Sequence, residues 1–101
     1  MHSSAVVETV VRLSGEIDVS TVGQARAHLG EAIADNPGSV ITVDMGEVTF
    51  LDSTGIGAVV SALKRARHSD GDLRLVGVQP QVLKVFQLTG LTRALEIEGA
   101  P

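Results

Sequence analysis

The sequence predicts a single α/β domain in which strands and helices alternate along the chain. Segments rich in β-branched residues and segments with helical apolar spacing follow one another over short connections. The 101 residues are enough for one compact core, and 44% hydrophobic against 20% charged residues is typical of a globular protein. No repeat, linker or low-complexity tract divides the chain. We therefore expect one domain over residues 1–101, with residues 1–5 as a flexible N-terminus.

The first strand and the first helix are predicted from their residue types. Val6–Leu13 is rich in β-branched residues and favours a strand, and Ser14-Gly15-Glu16 then indicates a turn or a bulge. Ser20–Ala34 has apolar residues at helical spacing. Thr21 and Gln24 have the spacing of a capping box, so we expect them to cap the N-terminus of this helix.

The second strand segment leads to the most unusual part of the chain. Asn36-Pro37-Gly38 ends the first helix, and Val40–Val43 is a short apolar run that suits a buried strand. Asp44–Gly46 indicates a turn, after which Val48–Leu51 returns toward the sheet. The chain is expected to leave the sheet at Asp52.

The second helix is predicted over Ser53–Arg67. Cationic side chains occupy its last turn, where they favour the negative end of the helix dipole. The apolar residues expected on one helical face are Ile56, Val59, Val60 and Leu63.

The C-terminal third predicts one more strand, helix and strand. Ser69–Asp72 is a turn and Leu73–Val78 a strand, and Pro80 suits the first position of a third helix that Gly90 ends. That helix directs Val82, Leu83 and Phe86 inward. Ala94–Ile97 is expected as a last edge strand, so the order is β, α, β, α, β, α, β with connections suited to crossover units.

Composition excludes several classes of function. The chain has no cysteine, which excludes thiolate catalysis and disulfides and is compatible with a reducing cytoplasm. The net charge is −4, and the one basic cluster, Lys64, Arg65 and Arg67, has no aromatic neighbours, so nucleic acid is not expected as a partner. No segment approaches the roughly 20 apolar residues that a membrane span requires. We expect a cytoplasmic protein without direct membrane insertion.

The stretch Phe50–Gly57 raises a question, because hydroxyls and glycines crowd the first turn of the second helix. Ser53 is expected at the carboxyl edge of the sheet, where open α/β folds place their sites, and a helix N-terminus favours an anion there. Gly55 and Gly57 each cost about 1 kcal/mol relative to alanine in a helix interior. Close approach by the sheet or by a partner protein would explain them.

A purely structural explanation stays open, and the residues alone favour it. Asp52 or Ser53 would then simply cap the helix, while the glycines allow tight packing of strand and helix. The familiar catalytic patterns are absent, since the stretch lacks a full dinucleotide or P-loop motif and the first glycine of a hydrolase elbow. His28 and His68 have no third ligand at a plausible spacing, so no metal site is expected.

The stretch nevertheless resembles a known signature. Val43-Asp44-Met45 through Val48-Thr49-Phe50-Leu51-Asp52-Ser53-Thr54-Gly55-Ile56-Gly57 is similar to that of STAS domains, specifically the bacterial anti-sigma factor antagonists. Leu13–Asp18 resembles the first loop of the family, and Gln87–Leu91 resembles the end of its C-terminal helix. The resemblance covers nearly the whole chain and implies a single STAS-like domain with a mixed β-sheet.

The resemblance implies a specific role for Ser53. In that family an ATP-binding anti-sigma factor that is also a serine kinase phosphorylates the serine after the aspartate, and a metal-dependent serine phosphatase reverses this. The unmodified protein binds the kinase and frees the sigma factor. The docking surface so implied consists of Asp18, Asp52, Ser53, Thr54, Gly55, Ile56 and Gly57.

Three further expectations accompany this hypothesis. Thr54 is a second hydroxyl and the weaker candidate for phosphorylation. ATP and magnesium are expected on the partner kinase, so this chain needs no cofactor and is a substrate, not an enzyme.

Two alternatives stay open: a structural or regulatory subunit of a membrane transport or signalling assembly, and a small-molecule binding module.

Overall fold

The computed structural model describes residues 9–101, and strands and helices alternate there as the sequence predicts. The α/β class is confirmed. Residues 1–5 and the part of the first predicted strand before Thr9 lie outside the described residues. The elements are β1 Thr9–Ile17, α1 Val22–Asp35, β2 Val40–Leu51, α2 Ser53–His68, β3 Asp72–Val78, α3 Pro80–Leu88, a 3₁₀ helix Leu91–Arg93 and β4 Glu96–Gly99.

The strands form one sheet in the order β1-β2-β3-β4, and each neighbouring pair is parallel. Every connection between them contains a helix, which returns the chain to the end of the sheet where the previous strand began. The crossover units are thus confirmed. The implied mixed sheet is corrected in this respect, because the sheet within residues 9–101 is parallel throughout.

The strand β2 is a single element of 12 residues, which corrects the predicted turn at Asp44–Gly46. Asp44 Oδ1 accepts a hydrogen bond from the Gly46 amide at 2.9 Å, so the turn-like sequence forms a bulge within the strand. The register with β1 shifts twice, and β2 contains one extra residue after Asp44 and another after Val48. Buried hydrophobic positions therefore pass from every second to every third residue: Ile41, Val43, Met45, Val48 and Leu51.

The irregularity predicted at Ser14–Glu16 is confirmed, although β1 continues through it to Ile17. Gly15 has a φ of 74°, in the left-handed region that glycine adopts without strain. The first strand therefore runs four residues past its predicted end and reaches the loop that contains Asp18.

The start of α1 differs from the predicted capping box. Thr21 is the N-cap residue, but its side chain makes no capping hydrogen bond. Its hydroxyl donates instead to the carbonyl of Glu16 at 2.7 Å, because β1 ends close by. The predicted end of the helix is confirmed, since Asn36 is the C-cap residue and its side-chain amide donates to the Ala32 carbonyl at 2.8 Å.

The core lies between the sheet and its helices. Helix α1 packs on β1 and on α2, α2 packs on β2 and β3, and α3 packs on β2. The predicted face of α2 is partly wrong, because Val59 and Leu63 are buried whereas Ile56 and Val60 are only half-buried. Small residues let this helix approach the sheet closely, and its buried positions are Gly55, Ala58, Val59, Ala62, Leu63 and Ala66.

The remaining elements follow the prediction closely. Pro80 begins α3, whose Val82 and Phe86 are buried, and Leu83 packs against the core while half-buried. Gly90 follows the C-cap Thr89 with a φ of 76° and so ends the helix as expected. The last strand begins two residues later than predicted, because the 3₁₀ turn precedes it.

Candidate functional site

The candidate site lies where β2 ends and α2 begins, and we call residues Asp52–Gly57 the serine corner. Asp52 is the N-cap residue of α2, and its Oδ1 accepts hydrogen bonds from the amides of Thr54 at 2.9 Å and Gly55 at 3.2 Å. Its carbonyl accepts the amide of Ile56 at 3.0 Å. The capping role left open between Asp52 and Ser53 therefore belongs to Asp52.

The Ser53 side chain is exposed at the first position of α2. Its hydroxyl makes no hydrogen bond with any group in residues 9–101, since the neighbouring amides are bound by Asp52. Thr54, the second hydroxyl, is half-buried. Of the two hydroxyls, only that of Ser53 is fully presented to an approaching molecule.

The two glycines of the serine corner have different surroundings. Gly55 is buried, and a β-carbon there would lie 2.6 Å from Leu51 Cδ1, 2.9 Å from Leu51 Cγ and 3.1 Å from Ile17 Cγ2. Gly57 is exposed, and a β-carbon there would meet only Arg26 Nη2, at an ordinary 3.9 Å. Packing within the chain therefore explains Gly55 but not Gly57.

A second corner, residues Asp18–Thr21, lies beside the serine corner at the same edge of the sheet. Ile17 and Leu51 are register partners, and the amide of Asp52 donates to the Ile17 carbonyl at 3.3 Å, so Asp18 and Asp52 leave adjacent strand ends. Asp18 Oδ1 accepts hydrogen bonds from the hydroxyl of Ser20 at 2.7 Å and its amide at 2.9 Å. These bonds, led by the Ser20 hydroxyl, lower the pKa of Asp18 below its usual value.

All seven predicted site residues therefore come together at one edge of the sheet. Asp52, Thr54 and Ile56 are half-buried, Gly55 is fully buried, and Ser53 and Gly57 are exposed. Asp18 adds a half-buried carboxylate from the neighbouring loop. Gly55 contributes to this surface only by shaping the backbone, since its own position is inside the core.

Sequence reasoning missed two apolar side chains at this edge. Val19 is 78% exposed in the second corner, and Phe50, the penultimate residue of β2, is 47% exposed. Single exposed apolar side chains are common on protein surfaces, and the relevance of these two comes from their position beside the two corners. The exposure of Val19 could have been predicted from its position between two polar residues in a loop, whereas the exposure of Phe50 depends on the bulges of β2.

Other possible sites find little support in the described part of the chain. Residues 9–101 contain no group of three or more acidic, histidine or cysteine side chains arranged to hold a metal ion. Within the same range each helix is too short or too polar to traverse a lipid bilayer. In the basic cluster, Arg67 Nε lies 3.1 Å from Asp72 Oδ1, so this arginine serves the structure.

Comparison with known proteins agrees with this architecture. The STAS domain family model matches residues 2–99, and the chain therefore belongs to the STAS domain family. The chain is 35% identical over 87 residues to an anti-sigma-B factor antagonist of Listeria monocytogenes, an alignment that covers 86% of this chain and 75% of the relative.

Two solved structures of one protein are similar in fold and sequence. The anti-sigma factor antagonist SpoIIAA in its unphosphorylated form aligns with a TM-score of 0.74 and 32% identity, covering 94% of this chain and 84% of that one. The Bacillus cell fate determinant SpoIIAA in the phosphorylated form aligns with a TM-score of 0.67 and 29% identity, covering 95% and 86%.

Proposed function

We propose that this protein is an anti-sigma factor antagonist. Its unmodified form binds an anti-sigma factor that is also a serine kinase, which releases the sigma factor, and phosphorylation of Ser53 ends that binding. The observation that supports this most is the exposed Ser53 hydroxyl, which no group in residues 9–101 engages, at an aspartate-capped helix start. The similarity to antagonists, one of which is known in both phosphorylation states, supports the same function.

The chemistry requires little from this chain. The γ-phosphoryl group of ATP passes to Ser53 Oγ, the hydroxyl proton passes to a base of the kinase, and ADP leaves. ATP and magnesium are bound by the kinase, which also supplies the catalytic groups. This chain contributes an accessible nucleophile on a rigid corner, and it is a substrate and ligand without enzymatic activity of its own.

The proposed docking surface combines both corners. It comprises Asp18, the residues Asp52–Gly57, and the exposed apolar side chains of Val19 and Phe50. Gly57 is exposed and adds no side chain to the second turn of α2, where only Arg26 Nη2 lies nearby, so a partner backbone can approach closely there. Apolar contacts around a neutral hydroxyl suit an interface from which water is excluded.

Phosphorylation changes the charge of this surface and leaves the fold in place. A phosphoserine adds about −1.5 to −2 charge at pH 7, beside the carboxylates of Asp18 and Asp52. An unpaired or like-charged group in an interface costs several kcal/mol, and about 1.4 kcal/mol is a tenfold loss of affinity. Because Ser53 is exposed, the core does not have to rearrange.

Reversal completes the cycle. A metal-dependent serine phosphatase would add water across the phosphoserine ester, which restores the hydroxyl and releases inorganic phosphate. Both partners act where ATP and transcription are found, so the proposal requires a cytoplasmic location.

The test is incubation with the anti-sigma factor kinases of the source organism and ATP, followed by mass spectrometry of the peptide that contains Ser53. We expect one phosphoryl group on Ser53, none in Ser53→Ala, and an unchanged level in the matched control Thr54→Ala. Phosphate on another residue, or on none with any of these kinases, would overturn the proposal.

Binding measurements test the switch itself. Ser53→Ala should bind the kinase and resist release by ATP, while Ser53→Asp should bind roughly 100-fold more weakly with an unchanged circular dichroism spectrum. Binding of Ser53→Asp at the affinity of the unchanged protein would contradict the charge mechanism. Recovery of a permease or membrane ATPase from cells, in place of a kinase, would favour a transport subunit.

A further inference from the structure

The start of α2 offers a phosphoryl group on Ser53 little counter-charge, because within residues 9–101 only the Ser53 amide among its first four amides has no acceptor. The amides of Thr54 and Gly55 are bound to Asp52 Oδ1, and the amide of Ile56 is bound to the Asp52 carbonyl. The nearest carboxylate, that of Asp52, has the same sign as the phosphate. The second nearby acid, Asp18, is held by Ser20 and Thr21 and keeps its negative charge at neutral pH. A cation from another element would stabilise a dianion there.

Arg26 is a cationic side chain of the neighbouring helix. It lies on α1, is exposed, and places Nη2 3.9 Å from the position that a β-carbon of Gly57 would take. Within residues 9–101 its guanidinium forms no ion pair and no hydrogen bond. An arginine that lies against bare backbone without an acidic partner is available for a new anion.

The helices place Arg26 close to Ser53. Contacts of Arg26 with Gly57 and of Arg65 with Gly30 show that α1 and α2 run side by side in the same direction. Ser53 and Gly57 are four residues apart on one face of α2, about 6 Å along the axis. Side chains on a helix lean toward its N-terminus, so Arg26 leans toward the end of α1 that lies beside Ser53.

We infer that Arg26 is the intramolecular counter-ion of the phosphoserine at position 53, an inference that rests on the proposed function. The guanidinium swings by about one helical turn and donates charge-assisted hydrogen bonds to the phosphoryl oxygens. Engagement of Arg26 also changes the surface at Gly57, the bare turn that the kinase would approach. One modification thereby alters both charge and shape in the docking surface.

The test installs phosphoserine at position 53 during translation, so that no kinase is needed, and follows the second phosphate ionisation by ³¹P NMR. We expect Arg26→Gln to raise that pKa by about 0.2–0.7 pH units, because loss of a partly exposed ion pair removes about 0.2–1 kcal/mol. Arg26→Lys should retain most of the original value, since it keeps the charge.

Arg65→Gln is the matched control. It removes the same charge from the same helix pair, but twelve residues along α2 from Ser53, or about 18 Å, which exceeds the Debye length of about 8 Å at physiological salt. An effect of Arg26→Gln no larger than that of Arg65→Gln would overturn the inference and leave the proposed function standing. Conversely, failure of every kinase to modify Ser53 would overturn the proposed function. The titration of the installed phosphoserine would still test the role of Arg26, because it needs no kinase.

Discussion

The two helix starts at the carboxyl edge of the sheet contain the same pair of residue types, an aspartate and a serine, in opposite arrangements. In the second corner, Asp18 holds the Ser20 hydroxyl in a 2.7 Å hydrogen bond and folds back on its own loop. In the serine corner, the Asp52 carboxylate caps the helix by accepting hydrogen bonds from two backbone amides of α2. The Ser53 hydroxyl has no partner among residues 9–101. An exposed serine is therefore not enough to make a nucleophile available, because the neighbouring aspartate decides whether the hydroxyl is bound.

The largest expected effect concerns the packing beneath the serine corner. Gly55→Ala would place a β-carbon 2.9 Å from Leu51 Cγ inside the core, and overpacking of this kind costs roughly 1–3 kcal/mol. We expect a clear fall in the free energy of unfolding measured by urea denaturation. An unchanged midpoint would mean that Leu51 relaxes freely, and that Gly55 is as dispensable for packing as Gly57.

The next effect concerns the cap. Asp52→Ala should destabilise the protein by about 1 kcal/mol, since the amides of Thr54 and Gly55 lose their acceptor. Asp52→Asn is the matched control, because asparagine caps equally well and removes only the charge. If the two variants unfold at the same denaturant concentration, the stabilising role of Asp52 is electrostatic and not a matter of capping.

Gly57→Ala separates stability from binding. The substitution meets no close contact and replaces a poor helix former, so we expect a gain of about 0.5–1 kcal/mol in the free energy of unfolding. Affinity for the kinase should fall at the same time, because the bare turn is lost from the docking surface. A variant that is more stable and binds as well as the unchanged protein would remove Gly57 from that surface.

The smallest effect concerns Asp18, whose pKa is lowered mainly by the hydrogen bond from the Ser20 hydroxyl. A lowered pKa in the folded state means that the stabilisation is present at neutral pH and is lost as the pH falls below about 3.9, the unfolded value. Asp18→Asn should therefore make the free energy of unfolding fall slightly less steeply as the pH is lowered through this range. A carboxyl titration by NMR that places Asp18 at or above the ordinary aspartate value would contradict the comparison of the two corners.

Much of the fold was predictable because its signals are local. Pro80, the Asn36-Pro37-Gly38 stop and the helical spacing of α1 located their elements to within a few residues. The second strand was predicted in two pieces, since Asp44 and Gly46 have turn chemistry that here forms a bulge held by pairing with β1. Such long-range pairing has no signature in the local sequence.

The candidate site, like the fold, could be predicted from the sequence only in part. The serine-containing stretch and its helix start could be found from residue types and family resemblance. The difference between Gly55 and Gly57 could not, because it depends on where Leu51 and Ile17 lie in three dimensions. Arg26 was also missed, since nothing in its own helix indicates that it lies over the second turn of α2.

The two extra residues of β2 have a consequence for how this stretch can vary. They direct Leu51 inward and leave Phe50 half outside, which also fixes the direction from which the chain enters α2. Removing one residue between Val43 and Asp52 would exchange those two side chains between the core face and the outer face of the strand. The segment therefore tolerates changes of residue identity far better than changes of length. A variant with one residue fewer in this strand would keep every residue of the motif and still lose the orientation of its serine.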